Sequence, residues 1–264
     1  MNRFFRSFKI LAYSLAFFGI ATAQLPDEIQ VYVNDLTRKG EWSVELHVNT
    51  TPSGQRLPDF TGAVVTDHGW RVTPEINYGL GNNFDVGLYL PMVKTSDNKF
   101  LFGGPKVRFK WLPLQADNES QPFFFGMNLE LANVNKSFSQ TPWSSELRFI
   151  MGWEKDRWLV AVNPTLEREL GPQPQNSNTL FNTGGKVAYR IRPRVSLGLE
   201  RYDDLGPWDR WDSSSLRSTS TYLTLDIDGD TEFNFGIGYG AGPQNDRWTV
   251  KLIYSIPLSR WLKL

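Results

Sequence analysis

About a dozen ten-residue stretches of this chain alternate apolar and polar side chains, one after another, with turn residues between them. In Arg71-Val72-Thr73-Pro74-Glu75-Ile76-Asn77-Tyr78, the apolar Val72, Pro74, Ile76 and Tyr78 fall on one face and the polar residues on the other. A period of two is the signature of a β-strand with one apolar face. The polar row carries full charges and glycine, while the apolar row carries Leu, Val, Phe, Tyr and Trp, so lipid is the solvent that suits the bulky face. The pattern therefore predicts an all-β fold, an antiparallel transmembrane β-barrel.

Residues 1–23 read as a removable export signal. Arg3, Arg6 and Lys9 precede the apolar run Ile10 to Ile20, and Ala21-Thr22-Ala23 supplies a small-x-small cleavage site. The apolar run is too short for a bilayer-spanning helix, which needs roughly 20 residues. Cleavage before Gln24 removes three of the 28 basic side chains and leaves 25 against 28 acidic ones, a balance that gives no reason to expect nucleic acid. The chain has no cysteine, which excludes a lipoprotein anchor, disulfides and thiolate metal sites. Its mean hydropathy is negative, yet aromatic residues make up 14% of it, with ten Trp. Strands with one polar and one apolar face reconcile these two facts.

Twelve strands are expected: 41–50, 70–80, 84–94, 100–112, 123–133, 144–154, 158–167, 181–190, 195–202, 219–227, 232–240 and 247–255. They give a barrel over 41–256, preceded by a periplasmic or lumenal segment at 24–40 and followed by a tail at 257–264. Short links at 81–83, 155–157, 191–194 and 228–231 alternate with longer ones, which is the asymmetry of periplasmic turns and outer loops. Trp42, Trp111, Trp153 and Trp158 fall at the short-turn ends of strands, and Trp70, Trp143 and Trp248 at the long-loop ends. Two aromatic belts are expected where rings sit at headgroup level. A soluble β-sandwich or barrel with the same aromatics in its core remains the competing reading. Two features strain the barrel. Pro74, Pro91, Pro105 and Pro164 lie inside expected strands, where they imply bulges or early strand ends near the outer rim. Ile29 to Leu36 also alternates, and is read as a lead segment rather than a thirteenth strand.

On the barrel reading the polar row faces the lumen. It holds Glu45, Glu75, Asp85, Glu130, Glu146, Glu167, Glu200 and Asp226 against Arg71, Lys106, Arg108, Lys110, Arg148, Lys186, Arg190 and Lys251. Such a matched set is satisfied by pairing, which gives a salt-bridged lumen. The functional alternative is a polar conduit in which Lys106, Arg108 and Lys110 form a basic stripe attracting anions, with Arg71, Arg148, Arg190, Glu75, Glu130, Glu146 and Glu200 as further pore-lining candidates. Catalytic residues are not expected. His47 shares its parity with Glu45 and points inward, His68 lies in a loop, and neither has the serine partner that a hydrolase needs. Two distant histidines make no metal site, and glycine pairs 103–104 and 184–185 open no helix that would hold a phosphate. No cofactor is implied.

The stretch Thr73-Pro74-Glu75-Ile76-Asn77-Tyr78-Gly79-Leu80-Gly81-Asn82-Asn83-Phe84-Asp85-Val86-Gly87-Leu88-Tyr89-Leu90-Pro91 resembles the hairpin of the outer-membrane proteins named for the meta-pathway of phenol degradation. Its hallmark is Tyr-Gly-Leu, a short polar turn, and an alternating strand that ends in Leu-Pro. Gly152-Trp153 to Asn163-Pro164 and Val195-Ser196-Leu197-Gly198-Leu199-Glu200 are weaker echoes. The motif covers about twenty residues, while the architecture covers most of the chain. The resemblance implies a transporter-like barrel in the outer membrane of a Gram-negative bacterium, passing small solutes, with aromatic or other organic ones suggested by the family's name, and it brings no catalytic residues. The expected partners are outer-membrane lipid, small solutes and the barrel-assembly machinery. The chain departs from a common barrel ending, because Trp261-Leu262-Lys263-Leu264 closes on leucine rather than an aromatic residue. A plugged structural barrel and a lipid-modifying enzyme of the same membrane are the alternatives from other classes.

Overall fold

The computed structural model describes residues 28–117, 120–171, 178–214, 216–242 and 245–258. The export signal at 1–23 and residues 259–264 of the tail lie outside them. Among the described residues there are fourteen ladder segments: β1 Trp42–Ser53, β2 Trp70–Gly81, β3 Phe84–Tyr89, β4 Met92–Lys94, β5 Phe100–Phe102, β6 Lys106–Leu114, β7 Phe123–Asn133, β8 Trp143–Lys155, β9 Trp158–Leu170, β10 Leu180–Arg192, β11 Val195–Pro207, β12 Ser218–Ile227, β13 Glu232–Ala241 and β14 Trp248–Pro257. Every pairing between them is antiparallel, and β1 pairs with both β14 and β2, so the sheet closes on itself. Because β3 continues into β4 and β5 into β6, the closed wall has twelve strands. This is the expected fold.

The tight turns form where the sequence supplies residues that tolerate positive φ. Asn82 and Asn83 stand at φ 52° and 65° between β2 and β3, Asp156 at 57° between β8 and β9, and Arg194 at 67° between β10 and β11. Asn and Asp enter the left-handed region at low cost, but Arg194 does so against its steric preference.

The prolines act in two ways. Pro74 and Pro164 stay inside continuous strands, although the β8–β9 ladder lapses between Arg148↔Thr165 and Met151↔Val162, at the height of Pro164. Pro91 and Pro105 break theirs. Tyr89 pairs with Lys106 and Met92 with Phe102, which leaves two residues on one side facing Gly103, Gly104 and Pro105 on the other. The extra residue is a bulge, and Gly104 adopts φ +106° to make it. The prolines' carbonyls are still used: Gly103 N–H donates to Pro91 O at 2.8 Å and Asn133 N–H to Pro105 O at 3.0 Å. The expected strands 84–94 and 100–112 are therefore each split, because a proline removes the donor that the ladder needs there.

Burial alternates along almost every strand. The inward row is buried and mostly polar, with Thr73, Glu75, Asn77, Asn128 and Lys251 fully or almost fully enclosed. The outward row is apolar and exposed, as at Phe109, Leu129, Val162, Leu199, Leu223 and Ile237. This inside-out distribution is what a barrel in lipid requires.

Candidate functional site: the lumen and the segment crossing it

Residues 28–41 precede β1 and run through the interior. Val31 and Tyr32 are 3% and 1% exposed and pack with Leu112, Phe124, Ile150 and Ala161. Those four belong to the inward row of β6 to β9, so the lumen wall carries an apolar patch among its charges. The alternating sequence gives parity but does not mark this patch, because it occupies positions where polar residues are expected.

The segment is held by its backbone as well. Tyr32 N–H donates to Asn163 Oδ1 at 2.6 Å, and Asn163 Nδ2 donates back to Tyr32 O at 3.1 Å. Asn34 makes the same reciprocal pair with Ala116: its Nδ2 donates to Ala116 O at 2.9 Å, and Ala116 N–H donates to its Oδ1 at 3.1 Å. A side-chain amide can imitate one rung of a ladder, which satisfies an extended segment that lies beside no strand. At the inner end Gly40 N–H donates to Gly79 O at 2.8 Å and Gly79 N–H to Glu41 O at 3.0 Å. Only glycine fits at 79, since a Cβ would stand 2.0 Å from Arg38 O.

The basic stripe meets acids from the wall and from this segment. Lys106 Nζ lies 2.8 Å from Glu130 and 3.4 Å from Glu28. Arg108 Nη2 lies 3.0 Å from Asp85 and 3.2 Å from Glu75, and donates to Asn77 Oδ1 at 2.8 Å. Lys110 Nζ lies 3.3 Å from Asp35 and 4.0 Å from Asp85. Arg148 lies 2.8 Å from Glu146 and 3.8 Å from Glu28, with its guanidinium 4.6 Å from the centre of the Tyr32 ring. Around the wall, Glu200 pairs with Lys251 and stands 3.1 Å from Lys186, while Tyr202 Oη donates to it at 2.6 Å. Arg71 is buried nearer the outer end, donating to Thr51 Oγ1 at 3.2 Å. Arg190 stands apart at the short-turn end, 37% exposed and 3.4 Å from Glu154.

Tyr32 joins the wall's charges, its Oη 3.4 Å from Glu130 and 2.9 Å from Tyr89 Oη with Arg108 5.8 Å from its ring, so Lys106, Arg108, Lys110, Arg148, Glu75, Glu130 and Glu146 form one network and Glu200 is in a second, while Arg71 lies beside Thr51 and Arg190 beside Glu154. His47 joins the first, with Nε2 3.2 Å from Glu75 and 4.0 Å from Glu45. Sequence reasoning did not find Glu28, Asp35, Tyr32, Tyr89 or Asn163. Tyr89 shares the inward parity of Asp85 and Gly87, which was the available signal.

Cavities lie on both sides of the segment. On the short-turn side, spaces of about 210 and 160 Å³ touch Val33, Asn34, Asp35 and Glu45. On the long-loop side, spaces of about 240 and 330 Å³ touch Glu28, Arg71, Glu167, Asp204 and Tyr202. The segment with its two charge networks is the partition between them.

No protein-family model matches the chain, and no curated protein is similar to it in sequence. Solved structures share its fold. An outer-membrane channel from Pseudomonas putida F1 superimposes with a TM-score of 0.60 at 13% identity, over 87% of this chain and 99% of that one. The KdgM porin gives 0.53 at 10% identity over 81% and 98%, and the NanC porin 0.53 at 8% over 82% and 98%. At these identities the likeness establishes the architecture alone: the chain has a closed antiparallel barrel, as those proteins do.

Proposed function

We propose that the protein is an outer-membrane channel for small solutes, with the passage past residues 28–41 as its narrowest part. The observation that carries this reading is a closed barrel whose polar lumen holds cavities on both sides of that segment. The exposed apolar outer face supports the membrane location, and the two structural neighbours described as porins, with the third described as a channel, support transport. The hairpin that resembles the phenol meta-pathway proteins favours aromatic or other organic solutes.

The lumen residues Lys106, Arg108, Lys110 and Arg148 then set the field at the constriction, and each is already balanced by an acid. A strongly anion-selective pore is not what this balance favours. The second reading, a plugged structural barrel, is favoured by the apolar packing of Val31 and Tyr32 on the wall. Planar-bilayer recording separates the two. Folded protein should conduct, and removing residues 24–36 should raise the conductance. Folded protein that never conducts, with or without the segment, would leave the structural reading standing.

A further inference from the structure

The outward row of β10 to β12 departs from the apolar rule. Where neighbouring walls carry Val162 and Leu166 or Ile237 and Tyr239, this wall carries Thr183, Gly185, Arg201, Asp203, Thr219 and Thr221. Arg201 is 59% exposed and is chelated by Asp203, with Nε to Oδ2 and Nη2 to Oδ1 both at 2.8 Å. Thr219 Oγ1 donates to the same carboxylate at 2.8 Å.

The register places this patch in depth. One row of directly paired outward residues runs Leu114, Phe125, Met151, Val162, Gly185, Arg201, Thr221, Tyr239, Trp248. It starts at the short-turn end of β6 and finishes in the long-loop aromatic belt, so it climbs the wall one strand at a time. The neighbouring row, Phe123, Trp153, Val160, Val187, Leu199, Leu223, Ile237, Val250, Thr50, Trp70, climbs between the two belts in the same sense. Strands spaced about 4.8 Å apart and tilted about 40° gain roughly 3 Å of height per step, so eight steps cover the ~25 Å of an apolar band. Arg201, five steps up, lies about 15 Å along it and Thr221 about 18 Å. Asp203 and Thr219 belong to the next paired row, about 5 Å higher, so the patch reaches from the upper half of the band to its long-loop edge.

Lipid tails cannot satisfy such a patch, and charge on a lipid face is costly toward mid-depth. A surface that carries its own acid and base is complementary to itself under a twofold axis: Arg201 of one copy meets Asp203 of the next, and Thr221 meets its own equivalent. Phe181, Trp208 and Trp211 cluster beside it, with Phe181 stacked on Trp211 at 5.9 Å, and aromatic groups of this kind are enriched at protein interfaces. We infer that the β10–β12 wall is a self-association surface through which two copies of this chain pair in the membrane. The inference rests on the membrane reading proposed above.

The chain has no native cysteine, so one introduced cysteine reports cleanly. In vesicles, Thr221→Cys should form a disulfide-linked dimer on mild oxidation, while Leu129→Cys on the far wall should not. The variants Arg201→Asp and Asp203→Arg should each lose the dimer in native mass spectrometry, and mixing them should restore a mixed dimer. Heat-modifiable gel migration and protease resistance in vesicles check that each variant is folded and inserted. Inserted native protein that stays monomeric, or links no better through residue 221 than through 129, overturns the inference and leaves the membrane reading intact. Lipid or another protein retained at this wall by an inserted monomer also overturns it. Failure to insert at all defeats the membrane reading itself.

Discussion

Gly104 shows how one residue fixes the rim. It holds φ +106°, and a Cβ there would stand 1.7 Å from Asn133 O, an immovable backbone atom of β7. Gly104→Ala therefore combines backbone strain with a clash that only opening the bulge relieves. Its cost is expected at about 1–3 kcal/mol or more, read as a lower denaturant midpoint for folding in vesicles. Gly185→Ala is the contrast, since the nearest atom to its Cβ is 3.8 Å away. That variant should fold as the native chain does. Equal losses at 104 and 185 would mean that the bulge at Pro105 is not a rigid part of the wall. Arg108 is constrained differently. It fits because Gly87, its direct partner across the β3–β6 ladder, has no side chain; a Cβ at 87 would come 2.8 Å from Glu75 Oε1 and 3.1 Å from Arg108 Nε.

Among the elements, residues 28–36 depend most on single side chains. Asn163 alone supplies both hydrogen bonds to the Tyr32 backbone. Asn163→Ala removes them and leaves the buried N–H and C=O of Tyr32 without those partners, a loss of about 1–3 kcal/mol for each unsatisfied group. The segment should loosen while the wall stays closed, because Asn163 is not needed for the β9 ladder. Hydrogen exchange should rise at 29–36 with little change in β7 to β10, and single-channel conductance should rise or become noisier. Unchanged exchange at 29–36 would show that the apolar packing alone holds the segment. The same element marks how far the sequence could be read. Strands such as β2, β7 and β9 were legible because polar and apolar residues alternate over part of their length, as at Arg71 to Tyr78, Asn128 to Leu131 and Asn163 to Glu167. The splitting of β3 from β4 was legible only as an irregularity at Pro91, since a proline reports a missing donor and not how the partner strand responds. The alternation of Ile29 to Leu36 indicates an extended segment, but Glu28 finds Lys106 78 residues away and Lys251 Nζ bonds Ile29 O across 222 residues. Contacts at such separation leave no local pattern. Leu112, Phe124, Ile150 and Ala161 escaped for a related reason: parity turns them inward, but the partners that cover them, Val31 and Tyr32, are distant in sequence.

For the whole molecule the decisive question is which solvent meets the outer face, and the outward row supplies a depth-graded test. Leu129 is outward on β7, 42% exposed, and paired with Phe109 and Leu147, so apolar residues surround it on both sides. Leu170 is also outward and similarly exposed, at 41%, but it pairs with Trp143 at the long-loop belt. In a bilayer, Leu129→Arg near mid-depth should cost about 2–4 kcal/mol, whereas Leu170→Arg, close to the headgroups, should cost about 0–1 kcal/mol. The difference should vanish in a solvent without depth. Neither site touches the lumen networks, so Glu75, Arg108 and Glu200 keep their partners in both variants and cannot mask the comparison. Urea titrations of both variants folding into vesicles give the two costs directly. If they come out equal, the apolar row does not face a bilayer, and the soluble barrel with its aromatics in contact with another protein surface becomes the better account. A gradient from Leu129 to Leu170 would also calibrate the wall at Arg201, whose height follows from the same register, and would turn the ion pair's position from a count of strands into a measured depth.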